Sequence, residues 1–304
     1  MKKISILIPY FGSFPKTFEY WLLSASKNPS IDFFIFTDQE NVENRYNDFL
    51  NIKFIKMKMA EMINLIKDTI NLYLPNLLPY KLCDLRPAFG EIFNDYVSGY
   101  DFWGFCDVDV VFGNIRKFIT DELLEKHEKI SCFGHFQLFK NIYKINHIYK
   151  KIKNYDSIVS SNASFAADEL FFSEVCRSLG VKEFVSRSFF CDVDYLHYSF
   201  RNAHISCDDI GYFIFHWENG KLIAKTKTKE VELLYCHLQK RNLSIPNKIL
   251  KESFYIVPNE IVDSCDSPKY RSFKPMYFVN HYIDMRIKRY KNGKKCREAL
   301  QKYE

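Results

Sequence analysis

The sequence predicts an α/β fold, a mostly parallel sheet flanked by helices, with a basic helix at the C-terminal end. Three observations predict it. Short apolar runs of strand length recur through the first hundred residues and alternate with stretches of helical periodicity. Hydrophobic residues make up 47% of the 304, enough to bury a core and too many for wholesale disorder. The surplus of basic charge gathers at one end: residues 281–304 hold eight Lys or Arg against three Asp or Glu, nearly all of the net +6. One large domain is expected over 1–277 and a helical tail over 278–304.

Ile4-Ser5-Ile6-Leu7-Ile8 reads as a buried strand stopped by Pro9 and Gly12. Phe14 to Lys27 reads as a helix. Ile31 to Phe36 is a second strand, ending in Thr37-Asp38, and Ile52 to Met57 a third. Ala60 to Tyr73 is amphipathic, with Ile63, Ile66, Ile70 and Leu74 near helical spacing. A helix is expected through Phe89, Ile92, Phe93 and Tyr96, and a fourth strand from Phe102 to Cys106. Ala167 to Leu179 looks helical. Tyr212–His216 and Leu222–Thr226 flank Asn219-Gly220, a strong hairpin signal. Leu233–Leu238 and Phe254–Val257 read as strands, and Phe278 onward as the terminal helix.

Because the basic surplus lies in the tail, the body lacks the basic face of a nucleic-acid-binding domain. Nine cysteines with no CxxC pair fit neither a zinc ribbon nor a disulfide framework, and suit a reducing cytoplasm. Lys2-Lys3 and the short run behind them end at Pro9, too soon for a signal-peptide core. No stretch approaches the ~20 apolar residues of a membrane span. The expected location is cytoplasmic, with the basic tail at the inner face of the cell membrane or simply solvated.

In a mostly parallel sheet a ligand sits beyond the carboxyl ends of the strands. Three such ends carry suggestive residues: Pro9-Tyr10-Phe11-Gly12, Thr37-Asp38 and Asp107-Val108-Asp109. Two carboxylates one residue apart, behind an apolar strand, can reach one divalent cation through hard oxygen ligands. Transfer from a nucleotide sugar must expel a diphosphate, and such an ion neutralises its charge. The plainer reading is a solvated turn. Arg86 before Pro87 stands where a helix begins; a cation there makes sense if a phosphate lies between it and the helix, or if it pairs with Asp84 or Glu91. His237 ends an apolar strand with Lys240 close behind, a third metal ligand and a diphosphate contact, or else a core histidine. Asp168-Glu169 would open a helix as dipole partners, or serve as a base or holder of hydroxyls. Gly134-His135 offers His135 to the acceptor side, and Trp217 is a sugar platform or core.

Taken together, Ile6-Leu7-Ile8-Pro9-Tyr10-Phe11-Gly12, Tyr80-Lys81-Leu82-Cys83-Asp84-Leu85-Arg86-Pro87 with Gly90-Glu91-Ile92-Phe93, Trp103 to Asp109, and His237-Leu238-Gln239-Lys240-Arg241 resemble bacterial GT-A-fold, DxD-containing glycosyltransferases that build capsules and O-antigens. The resemblance implies a Rossmann-like GT-A sheet. It implies a UDP-sugar donor, held at the first strand end by Pro9, Tyr10 and Phe11, with Asp38 on base and ribose, and Lys81, Arg86, Asp107 and Lys240 among the nucleotide contacts. Mn²⁺ or Mg²⁺ would sit on Asp107, Asp109 and His237, and Asp168 and Glu169 would act near a glycan or lipid-linked glycan acceptor. His237-Leu238-Gln239-Lys240 lacks the glycine of the His-x-Gly-x-x-Lys pattern, so neither retention nor inversion is implied. Two rivals differ testably. A sugar-phosphate nucleotidyltransferase would carry a Gly- and Arg-rich first loop, and Pro9 to Ser13 has no arginine. A non-catalytic carbohydrate-binding protein would not need Asp107 and Asp109.

Overall fold

Every residue from Ile4 to Ile8 is apolar or small, and Pro9 ends the run; a strand buried on both faces forms there. The computed structural model describes residues 1–40, 42, 49–193, 214–225, 229–239, 243–246, 252–258, 260–264, 283, 286–288 and 290–298. In it β1 (Ile4–Pro9), β2 (Ile31–Thr37), β3 (Ile52–Lys56) and β4 (Phe102–Cys106) are parallel neighbours. The sheet continues antiparallel through β7 (Phe136–Lys140) and β6 (Lys129–Phe133), and ends on β8 (Glu183–Phe184), parallel to β6. The order is β3-β2-β1-β4-β7-β6-β8, with four of six pairings parallel. This is an α/β fold with a mostly parallel sheet flanked by helices.

The chain runs from β1 outward to β3, then returns to lay β4 on the other side of β1. Strand order reverses at that point, and the cleft beyond the ends of β1 and β4 is the natural ligand site of such a sheet. Alternation along the strands fills both faces. Leu7, Phe36, Trp103 and Phe105 join one core; Ile6, Ile8, Phe33, Ile35 and Phe102 join the other.

Two smaller sheets follow. β5 (Val110–Phe112), β13 (Tyr235–His237) and β9 (Phe190–Asp192) form a ribbon in the order β5-β13-β9. β12 (Glu230–Leu233), β11 (Lys221–Lys225), β10 (Ile214–Glu218), β14 (Ser253–Val257) and β15 (Glu260–Val262) form an antiparallel sheet. Asn219 and Gly220 turn the β10–β11 hairpin with φ of 47° and 87°, the paired positive values of a type I′ turn.

Several boundaries differ from expectation for local reasons. The first helix runs Phe18–Ser26, because Pro15 O first takes the Phe18 amide in a separate turn. Leu233–Leu238 is two strands, not one. Leu234 donates to Phe189 O and accepts from Gly113 N, which carries the chain from one sheet to the other. The stretch from Pro79 to Val97 is a series of short α and 3₁₀ turns; Pro79 is the first residue of one 3₁₀ turn and Pro87 the second of another. The helix after Asp168-Glu169 begins only at Phe171. The basic end is helical over 290–298 and is fastened to the body: Asn292 exchanges hydrogen bonds with Ser164 N (3.0 Å) and Ser164 O (2.8 Å). Among the described residues no helix is long and apolar enough to cross a membrane.

Gly104 in the middle of β4 is required by close approach. A Cβ there would stand 2.2 Å from Gln137 O of β7, and backbone cannot yield as a side chain can. Gly104→Ala is expected to cost about 3 kcal/mol or more. Thermal unfolding of the two proteins measures it, and an unchanged midpoint contradicts the β4–β7 register.

Candidate active site

The turn after β4 carries Asp107 and Asp109, and two backbone bonds and a strand pairing hold it in place. Asp107 N donates to His135 O (3.1 Å), Leu238 N donates to Asp109 O (2.9 Å), and β5 directly beyond pairs with β13. The β5–β13 register sets His237 opposite Val110, so a residue from the far end of the chain arrives beside the two carboxylates. His237 Nε2 lies 3.3 Å from Asp109 Oδ1 and 3.7 Å from Asp107 Oδ2. One ligand atom from each of the three residues falls within 4.8 Å of the others.

Asp192, which the sequence reading missed, completes this arrangement. In the parallel β9–β13 pairing it is the neighbour of His237 and faces the same side. Its Oδ1 is 2.8 Å from His237 Nδ1, and the Gln239 side-chain amide donates to the same oxygen. Burial alone would raise the pKa of Asp192, but His237, His135 and Gln239 hold it below the usual range. An ionised carboxylate only accepts, so Nδ1 carries the proton and Nε2 is the atom turned to Asp107 and Asp109. Burial would depress His237; Asp109 first, then the bond to Asp192 and the charge of Asp107, lift it to about 10. The proton on Nε2 thus stands where a cation of higher charge would bind. Two hard carboxylates and one imidazole oriented by a second carboxylate suit Mn²⁺ or Mg²⁺, and the nitrogen favours Mn²⁺. The signal for Asp192 was present: Phe189-Phe190-Cys191-Asp192 is an apolar run ending in Asp, the same pattern as β4.

A second set of groups adjoins the first. Arg86 is 12% exposed and spans two carboxylates, donating from Nη2 to Asp107 Oδ1 and from Nη1 to Asp168 Oδ2 (2.9 Å) and Gly134 O (2.7 Å). Its guanidinium lies over the Phe105 ring, 4.7 Å from the centroid. Arg86 therefore ties Asp107 to Asp168. Burial pushes the Asp168 carboxyl up; Arg86 opposes, Glu169 adds, and the result is about 6. Glu169, exposed, accepts from Gly134 N at 2.6 Å. Among the described residues, six non-glycine positions have positive φ, and three of these are not asparagine: Ser131, Ala166 and Gln239. Ala166, two residues before Asp168, and Gln239, bonded to Asp192, border this site, where backbone strain is commonly kept.

The remaining expected residues divide. Tyr10 sits at the end of β1 close enough to Asp109 and Asp107 that, after burial, their charges raise its pKa. It stacks on Phe14 with centroids 4.9 Å apart. Asp38 accepts from Gly12 N (2.9 Å) and so shapes the loop after Pro9. Phe11 packs into the core behind that loop. Lys81 is buried against Asp84 (2.8 Å), in the segment before Arg86. His135 is corrected from acceptor contact to inner wall: it is buried, shares a 2.8 Å hydrogen bond with Tyr235 OH, and its ring lies 4.5 Å from that of His237. Trp217 is corrected from sugar platform to core: it is 0% exposed, donates to Phe112 O (2.9 Å) and stacks on Phe254. Lys240 lies outside the described residues.

Three glycosyltransferase structures are similar to the chain. Glycosyltransferase GlyE of Streptococcus pneumoniae TIGR4 is 12% identical over 61% of this chain and 46% of its own, with a TM-score of 0.38; the chain thus spans less than half of it. The galactosyltransferase LgtC, solved with donor and acceptor sugar analogues, is 12% identical over 62% of this chain and 75% of its own, TM-score 0.38. Mouse xyloside xylosyltransferase 1 is 8% identical over 64% of this chain and 88% of its own, TM-score 0.42. No curated protein matches the chain. A family model spans residues 6–265, from the first strand through both halves of the site, and the chain belongs to that family, DUF6625, a family of unknown function.

Proposed function

We propose that the chain is a metal-dependent glycosyltransferase of the GT-A type, moving a hexose from a UDP-sugar to a glycan or lipid-linked glycan acceptor in surface polysaccharide synthesis. One observation carries the reading: Asp107, Asp109 and His237 converge within 4.8 Å beyond the ends of the parallel strands. In this reading residues 1–277 are the transferase body. Mn²⁺ or Mg²⁺ on this cluster supplies neutralisation of the departing diphosphate. Asp109 and His237 hold it directly. Asp107, one oxygen fixed by Arg86, offers the other. Tyr10 and the loop shaped by Asp38 border the nucleotide, and Lys240, three positions after His237 in the sequence, is assigned to the diphosphate. Asp168 and Glu169 face the transferred sugar or the acceptor hydroxyl; Arg86 and the surrounding core shield Asp168 from bulk water, while Glu169 is open to it.

A screen of UDP-hexoses with Mn²⁺, scoring release of UDP, tests this. Release from at least one donor, abolished by a chelator, is expected. Metal-independent release, or none from any UDP-hexose, contradicts it.

The tail fits the same reading at the inner face of a membrane. Ile283, Ile287 and Tyr290 are about half exposed or more, with Lys291, Lys294 and Lys295 close by. Anionic lipid attracts each basic residue near its surface by about 1 kcal/mol. Liposomes rich in anionic lipid are expected to float the full chain, and Ile287→Ser with Tyr290→Ser to reduce flotation. Equal partitioning of both proteins contradicts the contact.

A further inference from the structure

The short turns from Pro79 to Ala88 carry three charged side chains, Lys81, Asp84 and Arg86. Arg86 reaches the site. Lys81 and Asp84 are 6% and 0% exposed, and neither belongs to the Asp107–Asp109–His237 cluster. Burying such a pair is costly, so what it holds in return matters.

Both side chains engage one loop. Lys81 Nζ donates to Ala163 O. The Asp84 carboxylate accepts from Phe165 N (3.1 and 3.2 Å) and from Ala167 N (2.9 Å). Arg86 then takes Asp168. Three side chains of one segment thus meet Ala163, Phe165, Ala167 and Asp168 in order. Lys81 also lies over the Phe165 ring, 5.0 Å from its centroid.

Between the two amides held by Asp84 lies Ala166, with φ of 51°. An alanine gains nothing from the left-handed region and pays in steric strain, so the surroundings must impose it. The amides of Phe165 and Ala167, bound to one carboxylate, are that imposition. The turn at Ala166, whose carbonyl takes the amides of Glu169 and Leu170 (both 3.0 Å), brings Asp168 back over Arg86.

We propose that Lys81 and Asp84 are positioning residues. They hold the 163–168 loop in the strained register that sets Asp168 against Arg86 and, through it, against Asp107. The proposal rests on the role given above to Asp168 in transfer. It reassigns Lys81 from nucleotide contact to loop anchor, and gives the Lys-x-x-Asp-x-Arg spacing of residues 81–86 one purpose.

The test compares Asp84→Asn and Lys81→Met with the wild-type protein. In Asp84→Asn, hydrogen exchange in a peptide covering 163–168 is expected to rise at least about tenfold, since two amides lose a charged acceptor. Affinity for UDP with Mn²⁺ stays within about twofold, because the metal cluster is untouched. Turnover, read as UDP released from the donor that the screen selects, falls at least about tenfold, with KM moving less. Lys81→Met, which removes one bond to the loop, gives the same pattern in smaller measure and stands in if Asp84→Asn does not fold. Unchanged exchange in the variants overturns the proposal. So does a loosened loop with full turnover, or loss of UDP binding in step with turnover, the mark of a merely structural pair. If the wild-type protein releases UDP from no hexose donor, the glycosyl-transfer reading is what falls, and exchange alone decides whether Lys81 and Asp84 hold the loop.

Discussion

Asp168→Asn is expected to lose turnover by about 100-fold while binding UDP and Mn²⁺ as the wild-type protein does, the difference that loss of a positioned acid or base group makes. The amide keeps the shape and removes the charge. Asp168 contacts Arg86 and lies outside the three-ligand cluster, so the nucleotide end of the site should not notice the change. Its carboxyl, raised to about 6 by burial against the pairing with Arg86, ionises in the range where enzymes work. Activity that needs the carboxylate should therefore rise as pH passes through about 6, and Asp168→Asn should flatten that limb. Stability moves the other way. The folded value lies above the ordinary 3.8, so the folded state holds an extra proton between the two, and stability falls as pH rises through that window. Steady-state kinetics of UDP release against pH, beside calorimetry of UDP binding, checks both. Near wild-type turnover in Asp168→Asn removes this residue from the reaction.

Much of this was legible in the amino-acid order, and the reasons are specific. β1, β2 and β4 are runs of large apolar residues closed by Pro9, Thr37 and Asp107, and buried parallel strands leave that mark because both faces are covered. Asp107, Asp109 and His237 were legible for the same reason: each stands at the end of such a run. The five-stranded antiparallel sheet was seen only in pieces. Its strands are short, and Leu233 to Leu238 reads as one strand because the step from one sheet to another at Leu234 changes hydrogen-bond partners and not hydrophobicity. The hydrogen-bond partners that position these side chains were not legible. Nothing local says that Arg86 takes Asp168, that Asp84 takes the amides of Phe165 and Ala167, or that Asp192 orients His237. Trp217 misled because a tryptophan beside a hairpin has the same local context whether it faces sugar or, as here, Phe254.

Protons compete for the metal cluster, and the sign of that competition can be worked out. With no cation His237 is charged up to about 10, held so by Asp109, Asp192 and Asp107. That pairing stabilises the fold fully below the ordinary histidine value of 6.5 and is lost as pH rises through the folded value. An imidazole must be neutral to bind a metal, so each ion bound displaces one proton from His237. Mn²⁺ affinity is expected to rise about tenfold per pH unit from 6 to 9. Asp192→Asn, which removes the charge that fixes the Nδ1 proton, should weaken Mn²⁺ binding about 10- to 100-fold without touching a ligand.

The central claim is that residues far apart in the chain, Asp109 and His237, hold one divalent ion for a nucleoside diphosphate. Calorimetric titration of UDP into the wild-type protein, Asp109→Asn and His237→Ala, with Mn²⁺ and with a chelator, measures it most directly. In the wild-type protein Mn²⁺ should tighten UDP binding at least about tenfold, since an ion held by Asp109 and His237 would neutralise the diphosphate. Both variants should lose that increment and keep the weak metal-independent binding through base and ribose. A full Mn²⁺ increment in His237→Ala would take the histidine out of the site, and the same result in Asp109→Asn would contradict the metal-dependent reading as a whole.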